Sequence, residues 1–215
     1  MVLSNTPEKG ADSPLCIPII DGGISVTSVS TKESVLFSSA NNEAGKIKVK
    51  INIAATVCFI VFNPPQKLIE RIAPTEHDNY FRHKLLKGVV HDENAYVLGG
   101  IAGHAGLFGT TLSVSYISQA WLQAVLGRSS ILPTTLVQQF VKRQDFSGKS
   151  SWALGWDTPS APSSSGNYFS PESFGHLGYA GTSLWIDPVR ELEVILLSNR
   201  VHPTRENNQI QAFRP

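Results

Sequence analysis

The stretch from residue 174 to residue 198 constrains this chain most. Phe174-Gly-His-Leu-Gly-Tyr-Ala-Gly-Thr-Ser-Leu-Trp-Ile-Asp-Pro188 passes from glycines into a β-branched and aromatic run, and a second apolar run follows from Leu192. The pattern predicts three consecutive strands over 175–179, 183–186 and 192–198. Asp187-Pro-Val-Arg190 turns the chain between the last two, with proline at a favoured turn position. Glu193, inside the last strand, is expected on a solvated outer face while residues 194–197 fill in around it. The glycines at 175, 178 and 181 leave a strand edge bare enough for a ligand to lie against the backbone, with His176, Thr182 and Ser183 placed where that ligand arrives. The same pattern fits a tight antiparallel hairpin in which the glycines serve only the turns.

Upstream the signals are uneven. Residues 1–45 are rich in Ser, Thr, Asn and Gly, with short strands expected over 17–20 and 24–29 around an Asp21-Gly-Gly23 turn. The apolar run 51–62 follows Lys46, Lys48 and Lys50. It is shorter than the ~20 residues a membrane span needs, and its Ile, Val, Thr and Phe content predicts a buried strand. A short helix is predicted over 66–72, stopped near Pro74. Residues 75–95 show no period and are read as a long loop ending in His91-Asp-Glu-Asn94. Residues 98–109 hold five glycines in twelve positions, and their alternation with Ile101, Leu107 and Phe108 predicts a packed loop. Thr110 or Thr111 can cap the next helix, where Val114, Ile117, Ala120, Trp121, Ala124 and Val125 repeat at helical spacing up to Gly127. Leu132-Pro-Thr-Thr135 opens another helix, with Leu136, Val137, Phe140 and Val141 on one face. A turn over 147–151, a strand over 152–156 and a Ser/Pro loop over 159–167 follow. His202-Pro-Thr-Arg205 is expected to start a terminal helix.

Composition removes several function classes. The chain has 215 residues, enough for one domain or a domain plus an arm, and 18 basic against 17 acidic residues. A net charge of +1 gives no electrostatic case for nucleic acid or an anionic membrane surface. Cys16 and Cys58 form no metal-spaced pair; one disulfide or two free thiols both fit. The six histidines (77, 83, 91, 104, 176 and 202) never form HxH or HxxxH, so no zinc site and no cofactor is expected. Met1 to Gly10 lacks the basic and apolar regions of a secretory signal, and the compartment stays unassigned.

Five segments, in this order, carry a resemblance: Arg71-Ile-Ala-Pro-Thr-Glu76, Val90-His-Asp-Glu-Asn-Ala95, Gly99-Gly-Ile-Ala-Gly-His-Ala-Gly-Leu-Phe108, Phe174 to Pro188, and Leu196-Leu-Ser-Asn-Arg-Val-His-Pro-Thr-Arg205. From about Phe62 onward the chain resembles the C-terminal part of the serine β-lactamase-like hydrolases, which include class C β-lactamases, D-alanyl-D-alanine carboxypeptidases and related esterases. The resemblance implies an α/β (α+β) sandwich, an antiparallel sheet flanked by helices with a helical subdomain beside the cleft, and a small-molecule or peptidoglycan-like substrate. It divides the chain into an unassigned segment, 1–59, and the C-terminal part of the domain, 60–215.

By the same resemblance His176-Leu177-Gly178 occupies the place of the family's third motif, Lys-Thr-Gly or His-Thr-Gly. His176 would poise the hydroxyl network or hold a substrate carboxylate. The Tyr179 N–H would be one oxyanion-hole donor, the other coming from the nucleophile's own N–H. Leu177 departs from the family's threonine and cannot hydrogen-bond. His104 and Thr182 are candidate cleft-lining residues, and His104 is also read as a loop-bracing histidine. His91, Asp92 and Glu93 are expected to hydrogen-bond within their loop rather than hold a metal. The four tryptophans are expected in the core, with Trp156 or Tyr168 as further cleft candidates.

The nucleophile motif does not occur in the sequence. No serine stands three residues before a lysine; Thr6-Pro-Glu-Lys9 is the only hydroxyl match, and no tyrosine begins Tyr-x-Asn. Tyr116-Ile-Ser118 and Tyr168-Phe-Ser170 fall after the place where the family's second motif belongs. The expectation is a truncated or degenerate family member, inactive alone, with a non-catalytic binding module as the alternative. A sheet with part of its family covering absent is expected to expose an apolar face and self-associate.

Overall fold

The computed structural model describes residues 2–3, 25–30, 60–129, 131–145 and 148–215. In chain order its first elements are strands β1 (Val2–Leu3), β2 (Ser25–Ser30) and β3 (Ile60–Phe62), helix α1 (Gln66–Ile69), strands β4 (Glu76–Asp78) and β5 (Lys84–Leu86), and helix α2 (Glu93–Val97). Strand β6 (Leu107–Thr110), helices α3 (Thr111–Val125) and α4 (Thr134–Val141), strands β7 (Phe174–Leu177), β8 (Ser183–Asp187) and β9 (Leu192–Leu197), and helix α5 (Ile210–Phe213) complete it.

The three strands predicted from the 174–198 pattern are β7, β8 and β9. They form an antiparallel meander, and β2 pairs with the far edge of β9, giving the order β2-β9-β8-β7. Leu184 is the pivot of the register, opposite His176 on one side and Ile195 on the other. β2 overlaps the predicted 24–29 strand. The predicted 17–20 strand, its turn, and residues 51–59 of the apolar run lie outside the described residues. The end of that run is β3, which pairs with β6.

Helix α3 lies against β8 and β9. It starts where Thr110 accepts a hydrogen bond from the Ser113 N–H at 3.0 Å, a side-chain cap of the first turn. It ends at Gly127, whose φ of +72° closes the helix. Its apolar face buries Leu122 against Phe174 and Ile186, with Trp121 and Trp156 packed around them. Val114 covers Ile195 and Leu197. Each fully buried side chain of this size contributes roughly 1.5–3 kcal/mol, so the helix–sheet contact fixes the meander in place. The result is the expected α/β class, an antiparallel sheet flanked by helices.

Several expectations give way. Glu193 is not solvated: it is fully buried. It shares the α3-facing side of β9 with Ile195 and Leu197, as strand alternation requires, and the hydroxyls of Ser115 (2.5 Å) and Ser118 donate to its carboxylate. Residues 75–95 are not a loop but the β4–β5 hairpin and α2. The Asp78 carboxylate organises that hairpin by accepting the N–H groups of Tyr80, Phe81 and Arg82 at 2.8–3.1 Å.

Residues 152–156 are a tight turn rather than a strand, with Gly155 at φ +82° and the Ala153 N–H bonded to Trp156 O. Trp152 is 49% exposed, outside the core. On α4 only Val137 is buried; Val141 packs at the edge of the core, Phe140 lies half-exposed against Trp121, and Leu136 is exposed. No helix begins at 202–205, because the Arg205 N–H and guanidinium are held by Glu76; α5 starts five residues later.

Gly175 in β7 and Gly178 just after it prove to be filled rather than bare. A Cβ on Gly175 would meet the Trp185 indole at 2.4 Å and Leu184 O at 2.5 Å. One on Gly178 would meet Thr182 Oγ1 at 2.0 Å. Close packing within the hairpin therefore explains both positions without a ligand.

Candidate active site

The turn between β7 and β8 is unusually well tied. Gly178 N–H donates to Thr182 O at 2.7 Å, and Gly181 N–H to Gly178 O at 3.1 Å. Arg200 donates from Nε to Tyr179 O at 2.9 Å and from its backbone N–H to Ala180 O at 2.8 Å. Ser198 Oγ donates to Gly181 O, and Arg214 Nη2 to Gly178 O and Thr182 O. Every carbonyl from Gly178 to Thr182 is thus engaged, which fixes the peptide planes and aims the remaining N–H groups. The Tyr179 N–H has no acceptor among the described residues.

This turn forms one wall of a cleft of about 720 Å³. The Gly-rich segment 102–108 and residues 91–93 form the other walls, with Arg205 and Thr75 also reaching it. The Tyr179 ring stacks on His91 at 5.6 Å between centroids, and the Arg200 guanidinium lies 4.6 Å from the centre of the same ring. Stacking and cation–π contact together hold a largely exposed ring in place.

An ion-pair network braces the floor. Glu76, 3% exposed, accepts from Arg205 Nε at 2.9 Å, Arg205 Nη2 at 2.7 Å and the Arg205 N–H at 3.0 Å. His91 Nε2 lies 2.8 Å from the same carboxylate, and Arg205 Nη2 also reaches Glu93 at 2.9 Å. Burial alone would raise the Glu76 pKa, but the hydrogen bonds from Arg205 and His91 outweigh it and hold the group at about 2. The same pairing raises the Arg205 pKa. Asp92 caps α2 through the Ala95 N–H at 2.8 Å and meets His104 Nε2 at 3.0 Å. The Ala95 N–H first, and His104 second, lower its pKa. His91, Asp92 and Glu93 therefore bond outside their own segment to Glu76, His104 and Arg205, and of the three Asp92 also bonds within it, to the Ala95 N–H. No group of metal-ligating side chains is found among the described residues.

Four of the residues singled out from the sequence come together here: Gly178, Tyr179 and Thr182 on the turn, and His104 opposite. His104 also braces its loop through Asp92. His176 stands apart, exposed on β7 with its ring 5.5 Å from that of Trp152, and it is not among the residues lining the cleft. Trp156 packs in the core, and Tyr168 is 89% exposed away from the cleft. Glu76, Arg205 and Arg200 received no role from the sequence, although all three sit inside segments that carried the resemblance.

Those segments converge in space: Glu76–Arg205 links the first to the last, and Asn199 Nδ2 donates to Pro74 O at 2.5 Å. A Beta-lactamase family model matches residues 60–213. The chain belongs to the beta-lactamase family. Among relatives, it is 34% identical over 164 residues to a protein of Salmonella agona (strain SL483) described as "Putative D-alanyl-D-alanine carboxypeptidase", covering 69% of this chain and 36% of that protein. A Salmonella typhi protein of the same description matches over the same extent. This family member thus spans about a third of the length of the curated relatives it matches. Similar solved structures include a beta-lactamase from Mycobacterium bovis, with a TM-score of 0.39 and 23% identity over 45% of this chain and 38% of that one. A penicillin-binding protein homologue from Caulobacter crescentus gives 0.43 and 15%, over 65% and 42%.

Proposed function

We propose that this beta-lactamase-family chain carries the strand-and-loop wall of an acyl-transfer cleft and, by itself, binds small amides, esters or peptidoglycan-like peptides without turning them over. One observation carries the reading. The Gly178–Thr182 turn, whose Tyr179 N–H has no acceptor among the described residues, borders a formed cleft, yet neither a serine nor a lysine lines that cleft among the described residues, and the sequence contains no Ser-x-x-Lys. Oxyanion stabilisation and nucleophilic attack are separable. A positioned N–H donor is worth roughly 10²–10³ in rate, but only once a nucleophile has an adjacent base to activate it. In this reading Tyr179 supplies the oxyanion donor, Gly178 packs closely on Thr182 and so holds the turn, and Thr182 and His104 line the walls. His176 lies outside the lining of that cleft, on β7 beside Trp152, so it meets a substrate carboxylate only on a ligand long enough to reach past the turn.

The expected result is no turnover of nitrocefin or p-nitrophenyl esters and no acyl adduct by intact mass, with reversible binding of a boronate or β-lactam by calorimetry. Stoichiometric acylation of any Ser or Thr overturns the inactive part of the reading. Loss of binding in His176→Ala, with no adduct in the parent chain, favours a dedicated binding module. That alternative draws on the complete set of hydrogen bonds that preserves the turn in a chain with no nucleophile motif.

A further inference from the structure

A second cavity, of about 340 Å³, shares Gly178 and Tyr179 with the cleft and is bordered by Arg200, Gln211 and Arg214. Its two arginines are oddly satisfied. Arg214 spends Nη2 on two backbone carbonyls, and its Nε is buried with no acceptor among the described residues. Arg200 donates only to neutral oxygens: Tyr179 O, Arg205 O, Asn207 O and Asn208 Oδ1. Neither guanidinium forms an ion pair with a carboxylate among the described residues. Burial, and then the charge of Arg200, push the Arg214 pKa below its ordinary value, as expected for two like charges facing one space.

Like charges without a counter-ion and an unmade buried donor both cost free energy, and a single anion relieves both. The guanidinium fork matches the paired oxygens of carboxylate and phosphate. We propose that this cavity is an anion site, taking a carboxylate or phosphate group between Arg200 and Arg214. Because both arginines also hold the carbonyls of the Gly178–Thr182 turn, an anion bound there clamps the turn that carries Tyr179. The site stands independently of whether the cleft accepts a substrate.

The test is thermal unfolding of the full chain, followed by tryptophan fluorescence in a zwitterionic buffer at pH 7. Inorganic phosphate, succinate or chloride is titrated at constant ionic strength. Phosphate or succinate should raise Tm saturably, by roughly 2–6 °C at tenfold the dissociation constant, whereas chloride should not. A rise with phosphate alone assigns a phosphate ligand, and one with succinate alone a carboxylate. Arg214→Gln should lose the rise, but it also releases the turn, so a second variant decides. Gln211 is exposed on α5 at the cavity. Gln211→Glu places a carboxylate beside both arginines; it should raise Tm in anion-free buffer and abolish the response to added anion. Equal responses to all three salts, or a full anion response retained in Gln211→Glu, overturn the proposal.

Discussion

Replacing Glu193 with glutamine removes a buried carboxyl that no cation faces among the described residues. Helix α3 and strand β2 carry no charged residue, and β8 carries only Asp187, which is held by Ser170 and Arg190. Burial raises the Glu193 pKa, and the hydroxyls of Ser115 and Ser118 offset only part of that. A carboxyl whose folded pKa lies above its unfolded value, about 4.3, contributes fully to stability below that value. The contribution is lost as pH rises through the folded pKa. At pH 4 the neutral acid and the amide differ by about one hydrogen bond, roughly 0.5–1.5 kcal/mol. Above that, the comparison moves in favour of Glu193→Gln by up to about 1.4 kcal/mol per pH unit until the folded pKa is passed. With a urea m-value of roughly 1–3 kcal/mol/M, that slope is a midpoint shift of roughly 0.5–1.4 M per pH unit. Urea titrations of both proteins from pH 4 to pH 8, read by tryptophan fluorescence, measure it directly. A stability gap that stays constant across that range would refute the assignment of Glu193 as a buried, uncompensated acid.

Two further perturbations follow from the geometry. Arg205→Met strips Glu76 of its main partner and should cost about 3–5 kcal/mol at pH 7. Glu76 titrates at about 2 when folded, so its contribution is present above the unfolded value and disappears as pH falls toward 2; denaturation curves at pH 7 and pH 3 should show the penalty shrinking. Gly175→Ala forces a methyl group against the Trp185 indole and Leu184 O and should cost about 1–3 kcal/mol. Near-ultraviolet circular dichroism should register the displaced indole, and an unchanged spectrum with unchanged Tm would show that the hairpin absorbs the methyl.

The β7–β9 meander was legible because its signals are local: apolar runs of four to six residues separated by turn residues. The β4–β5 hairpin was not, since its strands are three residues each and two of the residues in β4 are buried acids, Glu76 and Asp78. Glu193 shows the limit of reading polarity as exposure. Its alternation with Ile195 and Leu197 pointed inward, but the serines that donate to it lie 75 and 78 positions away. In the cleft, Gly178 and Tyr179 follow from motif position and Thr182 and His104 as cleft-lining candidates, and all four line it, whereas His176, from the same motif, does not. Glu76 and Arg205 were quoted within those motifs without a role, because a pairing across 129 residues leaves no trace in either segment alone.

Asp78 governs one wall of the cleft without touching it. Its carboxylate holds Arg82 by Nε at 2.8 Å, and Arg82 in turn donates to Val90 O at 2.6 Å and His91 O at 2.5 Å. Burial would raise the Asp78 pKa, but the N–H groups of Phe81 and Tyr80 and the Arg82 side chain hold it well below the usual carboxylate range. The backbone that carries His91 to its stack on Tyr179 is therefore suspended from a single acid twelve residues upstream of Val90. In a mutational survey scored by ligand binding, position 78 should behave as a cleft residue, while its exposed neighbour Asn79 should tolerate nearly any side chain.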